Sequence, residues 1–334
     1  MPEPLDPKEI TRDAHWLAQA YDHSQQLVRF VGMTPEDYQA AAFLDDRMFD
    51  RQRDVRVLPW PGVAEAMEGW SGEPARWIFH IGHVGSTMVA RMLGEVGGVL
   101  SVREPRILRD LTVLPPDQAG AMAPTVSALC SRAGGPGEVA VVKATSFVSE
   151  IAPLLSAPGG RVIFMHVGAA SYIETILAGE NSVKELHALH DYRSKRMAQR
   201  VPALADAATT DAHLAAAAWA CEMTSLEAAV DAMPDRRILW LDFDRFLGSA
   251  SARLIETASH CGINLSPADA DAITSGPLMK RYSKALEFEY GPNLRRELQE
   301  ESRRMHGPAI QSALIMLANA ANQSPQLQRA LSRS

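Results

Sequence analysis

From residue 76 onward the chain repeats one pattern: a short apolar run, a turn, then a helix-like stretch. The runs are "RWIFHI", "GVLSV", "EVAVVK", "RVIFMHV" and "RRILWLDF". Each is short, rich in Val, Ile or Leu, and lacks polar alternation. A strand with one wet face alternates apolar and polar side chains. A continuous apolar strand must be covered on both faces, as in a parallel sheet. Strands interleaved with helices then require a three-layer α/β fold with right-handed crossovers. The helix after the first run places Met88, Val89, Met92, Leu93 and Val96 on one face, as such a layer needs.

The flanks read differently. Residues 7–48 are expected to be two helices, because Ile10, Ala14, Leu17, Tyr21 and Leu27 fall near helical spacing. The second of these opens with Thr34 as N-cap and Pro35 in the first turn. The stretch "PWPGVAEAMEGWSGEP" is a loop-rich bridge. Residues 1–70 are therefore expected to be an N-terminal helical arm and 76–334 the α/β domain. Residues 182–233 form an alanine-rich helical insertion broken by Pro202, and the tail 292–331 is helical. Such an insertion can cover a site or serve as scaffold.

Composition excludes several classes. With 334 residues and 46% hydrophobic content, the chain can bury a sizeable core. A net charge of −7 disfavours nonspecific binding to nucleic acid or anionic membrane. Three widely spaced cysteines, Cys130, Cys221 and Cys261, match neither a zinc site nor a disulfide framework, so a reducing cytoplasm is expected. The N-terminal residues lack the apolar core of a signal peptide, and no apolar run is long enough to span a bilayer.

The chemistry concentrates in "WIFHIGHVGSTMVARML", a strand, a glycine turn and a helix. Such a turn aims main-chain N–H groups outward, and the helix dipole adds partial positive charge. Gly82 and Gly85 allow close approach, and Ser86 and Thr87 add hydroxyl donors. An anion fits there. A packing turn with no ligand is the competing reading. The turn is too short for G-x-x-x-x-G-K-[ST] and lacks its lysine, which argues against magnesium-dependent nucleotide hydrolysis.

The motif resembles the 5′-phosphosulfate loop of P-loop sulfotransferases, P-[KR]-S-G-[TS]-[TS], with Gly85-Ser86-Thr87 on its last three positions. Further segments are similar in the same order over roughly residues 76–300: "SVREPRIL", "VVKATS", "RVIFMHVGAASYIETIL", "ILWLDFDRFL" and "KRYSKALEFEYG". The resemblance implies a P-loop NTPase-like fold. It also implies 3′-phosphoadenylyl sulfate as donor, transfer of a sulfuryl group to a hydroxyl or amine, and no metal. The acceptor would be a small molecule or peptide. The chain departs from the family at three positions. His83 replaces the loop's Lys or Arg. His166 replaces the Arg that holds the donor's 3′-phosphate. Glu174 replaces a Ser eight residues further on, with Thr175 the nearest hydroxyl.

Residue roles follow from that resemblance. Glu104, beside Arg103 and Arg106, is the base that takes the acceptor's proton, or else one half of a structural ion pair. Lys143 ends its strand and can reach the transferring group as a point charge. His83 can donate to the sulfonate or the leaving phosphate. His166 stands in for the phosphate-binding Arg. Arg281, Ser283 and Lys284, with Lys280, form a late basic run able to hold the 3′-phosphate. His80 is expected to bond within the core. Asp242 and Asp244 are expected to cap a turn, and Trp219 and Trp240 to lie in the core. His187 and His190 are three apart on a helix but lack a third ligand. Besides the sulfotransferase, two readings remain: a degenerate member that only binds a nucleotide or partner, and a kinase-like phosphotransferase.

Overall fold

A computed structural model describes residues 6–10, 13–50, 52–133, 137–204, 207–280 and 291–333. Its main sheet has five parallel strands: β4 (Arg76–His80), β5 (Val99–Arg103), β6 (Val139–Lys143), β7 (Arg161–His166) and β8 (Arg237–Asp242). These are the five apolar runs. The order across the sheet is β5-β6-β4-β7-β8. The chain enters at the middle strand, crosses to the β5 edge, returns to place β6 between them, and then adds β7 and β8 on the other side. The C-terminal end of β4 therefore lies where the winding reverses, the place where open α/β sheets leave a crevice. Every residue of β4 is buried, which accounts for its unbroken apolar character.

Around the sheet lie many helices. Ser86–Gly94 follows β4 and packs on β5 and β6. Residues 182–233 contain most of Glu180–Ala188, then His190–Met197 and Asp211–Ala232, with Pro202 opening a short 3-10 turn. The tail holds Pro292–Ala321 and Pro325–Ser332, and the first of these packs on Ala169–Leu177 and Asp211–Ala232. No helix among the described residues is long and apolar enough to cross a membrane.

The N-terminal region corrects the sequence reading. Residues 7–48 are not two helices. β1 (Trp16–Asp22), β2 (Leu27–Gly32) and β3 (Val55–Pro59) form a separate antiparallel sheet in that order. Within β1 the side chains of Leu17, Ala18, Gln19, Ala20 and Tyr21 are all buried. A strand covered on both faces shows no alternation, so Leu17 and Tyr21 imitate a helical stripe. The hairpin turn is marked by Asp22, whose carboxylate accepts from the amides of Ser24 and Gln25. A short helix, Pro35–Ala40, does form where expected, with a capping box between Thr34 and Asp37. The loop-rich bridge is instead partly helical, over Trp60–Met67.

This N-terminal sheet is not a loose appendage. Phe30, Val31 and Tyr21 belong to the same apolar core as Phe79 and Phe164 of the main sheet. The buried Arg132 guanidinium donates to the carbonyls of Asp13 and Trp16. Asp110 accepts from the Tyr21 amide at 2.8 Å.

Candidate functional site

The turn after β4 is built from left-handed residues. Gly82, His83 and Gly85 have φ of +81°, +53° and +62°. A side chain at positive φ is uncommon, although histidine is among the residues found there more often. Gly85 is required twice over. Its φ is positive, and a Cβ there would meet the Phe243 ring at 2.1 Å. The amide of Gly82 donates to His80 Nδ1 at 2.9 Å, while His80 Nε2 meets the Ala144 carbonyl at 2.9 Å. Both nitrogens of His80 are thus engaged in the core, as its place in the strand implied.

Beyond Gly82 the amides change character. Among the described residues, none accepts a hydrogen bond from the N–H of Val84, Gly85, Ser86 or Thr87. These residues line a cavity of about 530 Å³. Among the described residues the hydroxyls of Ser86 and Thr87 have no hydrogen-bond partner either, though both residues are buried. Unpaired amides and hydroxyls at the start of a helix can receive an anion.

The same cavity reaches Glu104 and Lys143, so strand ends from β4, β5 and β6 contribute together. Lys143 is almost fully buried and its ammonium pairs directly with the Glu104 carboxylate. Thr145 Oγ1 donates to Glu104 Oε2 at 3.4 Å, and Arg47 lies 3.6 Å from it. Glu104 itself has φ +53°, held by its amide bonding to the Lys143 carbonyl at 2.7 Å. Positive-φ backbone therefore occurs on both sides of the cavity. His83 is partly exposed, stands edge-on to Tyr172, and its Nε2 lies 3.8 Å from Glu185 of the insertion.

The expected arrangement around Glu104 is only partly present. Arg103 follows strand alternation and points to the opposite face. There it is 1% exposed and donates to the carbonyls of Tyr38, Ala41 and Ser101. Burial pulls its pKa down to about 9. Arg106 pairs with Asp46 and Asp110. The cations near Glu104 are Lys143 and Arg47 instead.

Sequence reasoning missed several lining residues: Phe43, Arg47, Arg109, Glu185, Arg295 and Gln299. Arg295 is buried, and its guanidinium donates to Thr175 Oγ1 at 2.8 Å, Ser171 Oγ at 3.2 Å and Asp244 Oδ1 at 2.8 Å. No local motif marks it. It lies 120 positions from Thr175 and reaches it only through helix packing. Arg47 sits 3.4 Å over the Phe43 ring and pairs with Asp45 at 2.6 Å. Arg47, Arg109, Lys143 and Arg295 line the cavity with Glu104 and Glu185, and the chain's own carboxylates already answer these cations: Asp45 lies by Arg47 and Arg109, Asp244 by Arg295 and Glu104 by Lys143.

Two expected contributors lie elsewhere. His166 does not line this cavity; it ends β7 beside a different one. Glu174, itself buried, accepts a bidentate pair of bonds from the exposed Arg303 guanidinium at 2.7 and 2.9 Å, so its charge is answered. Arg281, Ser283 and Lys284 lie outside the described residues; Lys280 is exposed. Asp242 caps the helix Phe243–Gly248 through the amides of Asp244 and Arg245. Trp219 is core, its indole donating to the Val167 carbonyl. His187 meets Asp211 at the surface. No group of three or more His, Cys, Asp or Glu suited to a metal occurs among the described residues.

No family model matches the chain, and no curated protein matches it in sequence. Among solved structures, similarity is found to a sulfotransferase domain from the curacin biosynthetic pathway, at 12% identity and a TM-score of 0.42, covering 72% of this chain and 98% of that one. A sulfotransferase domain from the Synechococcus PCC 7002 olefin synthase is 13% identical, with a TM-score of 0.42 and coverage of 71% and 89%. A sulfotransferase from Alicyclobacillus acidocaldarius is 13% identical, with a TM-score of 0.37 and coverage of 79% and 98%.

Proposed function

We propose that this protein transfers a sulfuryl group from 3′-phosphoadenylyl sulfate to a hydroxyl or amine of a small molecule or peptide, on a three-layer P-loop framework. One observation carries the reading. Four consecutive amides, Val84 to Thr87, meet no acceptor among the described residues, and these residues line a cavity that also holds a carboxylate and a lysine. A doubly charged phosphate suits the amides, which come preorganised and need no further ordering. Arg295, Thr175 and Gln299 line the same cavity and supply donors for a second phosphate.

The residues divide the work. Glu104 takes the acceptor's proton as the acceptor atom bonds to sulfur. The sulfur–oxygen bond to the donor's phosphate breaks, and its electron pair stays on that phosphate. The loop amides, Ser86 and Thr87 hold the charge that develops there, with His83 as a further donor. Lys143 answers the charge on the transferring group and fixes Glu104 in place.

A second reading, anion binding without transfer, draws on the Glu104 ion pair. Lys143, Arg47 and Thr145 already engage that carboxylate, which leaves fewer lone pairs for an acceptor proton.

Thermal unfolding with adenosine 3′,5′-bisphosphate tests the binding step. At a hundredfold excess over Kd the ligand should stabilise the fold by about 2.7 kcal/mol. ATP with magnesium should do less. Absence of any shift with the bisphosphate removes the proposal. Glu104→Gln should lower turnover about 10²- to 10⁴-fold while keeping the bisphosphate shift. A wild-type protein that shows the shift yet no transfer across a panel of hydroxyl and amine acceptors favours the second reading.

A further inference from the structure

The C-terminal end of β7 borders a second cavity, of about 300 Å³. None of its described lining residues is shared with the loop cavity. His166 forms part of its wall. The residue is 3% exposed, and its Nδ1 is buried with no hydrogen-bond partner among the described residues. Leaving a buried polar nitrogen unpaired costs about 1–3 kcal/mol, so such an atom calls for an explanation. The ring stands edge-on to Trp240 at 5.5 Å. Burial first, then the Arg333 and Arg245 cations, holds its pKa below the ordinary histidine value, with Asp242 pulling the other way.

Three guanidiniums share that cavity's lining. The Arg333 guanidinium carbon lies 3.9 Å from the Trp240 ring centroid, and its Nε is anchored by Glu227. Arg253 is anchored through Nη1 by Glu256, one helical turn away, at 2.6 Å. Arg245 is largely exposed, and its nearest carboxylate, Asp242, is 3.9 Å away. The cavity's two carboxylates are engaged: Glu256 by Arg253, and Asp242 by the amides of Asp244 and Arg245. A guanidinium carries five N–H donors, and each of these three is anchored through only one or none of them on a carboxylate at hydrogen-bond distance. The remaining donors match a tetrahedral oxyanion better than a second carboxylate of the chain.

We propose that this cavity is a second binding site for a phosphoryl group, free or on a small molecule. Arg245, Arg253 and Arg333 hold it, with Trp240 and His166 in the cavity wall. The site is independent of the proposed transfer chemistry, because it uses none of the loop's groups. It also gives His166 a role other than holding the donor.

The test uses the full chain labelled with ¹⁵N-histidine. Inorganic phosphate, and separately glycerol phosphate, is titrated while the His166 ring resonances are followed. A saturable shift with inorganic phosphate is expected. Tighter binding of one of the two tells whether the phosphoryl group is free or carried. The double variant Arg245→Ala with Arg253→Ala should raise the apparent Kd at least about tenfold. Both side chains are exposed, so its melting temperature should match the parent's. No saturable shift at His166 with either compound, or an unchanged Kd in the double variant, overturns the site.

Discussion

The main sheet contains the tripeptide His-Val-Gly twice at a strand-to-helix turn: His83-Val84-Gly85 after β4 and His166-Val167-Gly168 after β7. The two behave differently. In the first, His83 and Gly85 are left-handed and Val84 to Thr87 line the loop cavity. In the second, His166 is still strand, Gly168 has an ordinary φ of −60°, and Gly168, Ala169 and Ala170 do not line that cavity. The helices bond back alike, Val89 to Gly85 and Tyr172 to Gly168, and the first amides of both lack an acceptor among the described residues. What separates them lies upstream. Ile81 and left-handed Gly82 carry the chain out of β4 before His83 is reached, whereas β7 runs to His166 itself. The proposed anion receptor would thus be set by where the strand stops, not by the residues a motif would quote.

That difference can be broken at its glycines. Gly85→Ala should abolish bisphosphate binding and cost about 3 kcal/mol in denaturant unfolding, through left-handed strain and collision with Phe243. Gly168→Ala should cost about 1 kcal/mol or less, because its φ suits any residue. Equal losses at the two positions would erase the distinction.

It can be sharpened at the next two residues. Ser86→Ala with Thr87→Ala makes the first turn read His-Val-Gly-Ala-Ala, identical to the second. Affinity for the bisphosphate, measured by calorimetry, should fall about 10- to 100-fold as two hydroxyl bonds to an anion are lost. It should not vanish, since the amides remain. Complete loss would mean that the hydroxyls, not the main chain, form the receptor.

The smallest effect concerns the second turn's histidine. The His166 pKa is depressed by burial, so the unfolded chain binds its proton more readily than the folded one does. Its contribution is present above the unfolded value of about 6.5 and is lost as pH falls below it. His166→Gln should therefore flatten the decline in stability between neutral pH and about pH 5. Denaturant midpoints across that range measure the slope.

Much of the main sheet was legible because burial on both faces leaves little choice of residue. Runs such as Val162, Ile163 and Phe164 admit few other folds. The same physics hid β1, where alanine and glutamine filled a strand covered on both faces and broke no helical rule. The strand ends were readable, so Glu104 and Lys143 were found with the glycine turn. Arg47, Arg109 and Arg295 were not, because each owes its place to packing between distant segments. His166 was assigned by analogy of position. Strand alternation and the close approach of Trp240 turned it toward different neighbours.

Arg103 and Glu104 are consecutive yet serve opposite masters. One laces the carbonyls of the N-terminal segment, and its own carbonyl takes the Leu44 amide at 2.8 Å; the other forms part of the cavity wall. Phe43 and Arg47 ride on the segment so tied. The N-terminal segment is therefore the protein's carpentry: it joins one wall of the chamber to the strand bearing the carboxylate, and a chain trimmed ahead of Met48 would lose the wall and the joint together.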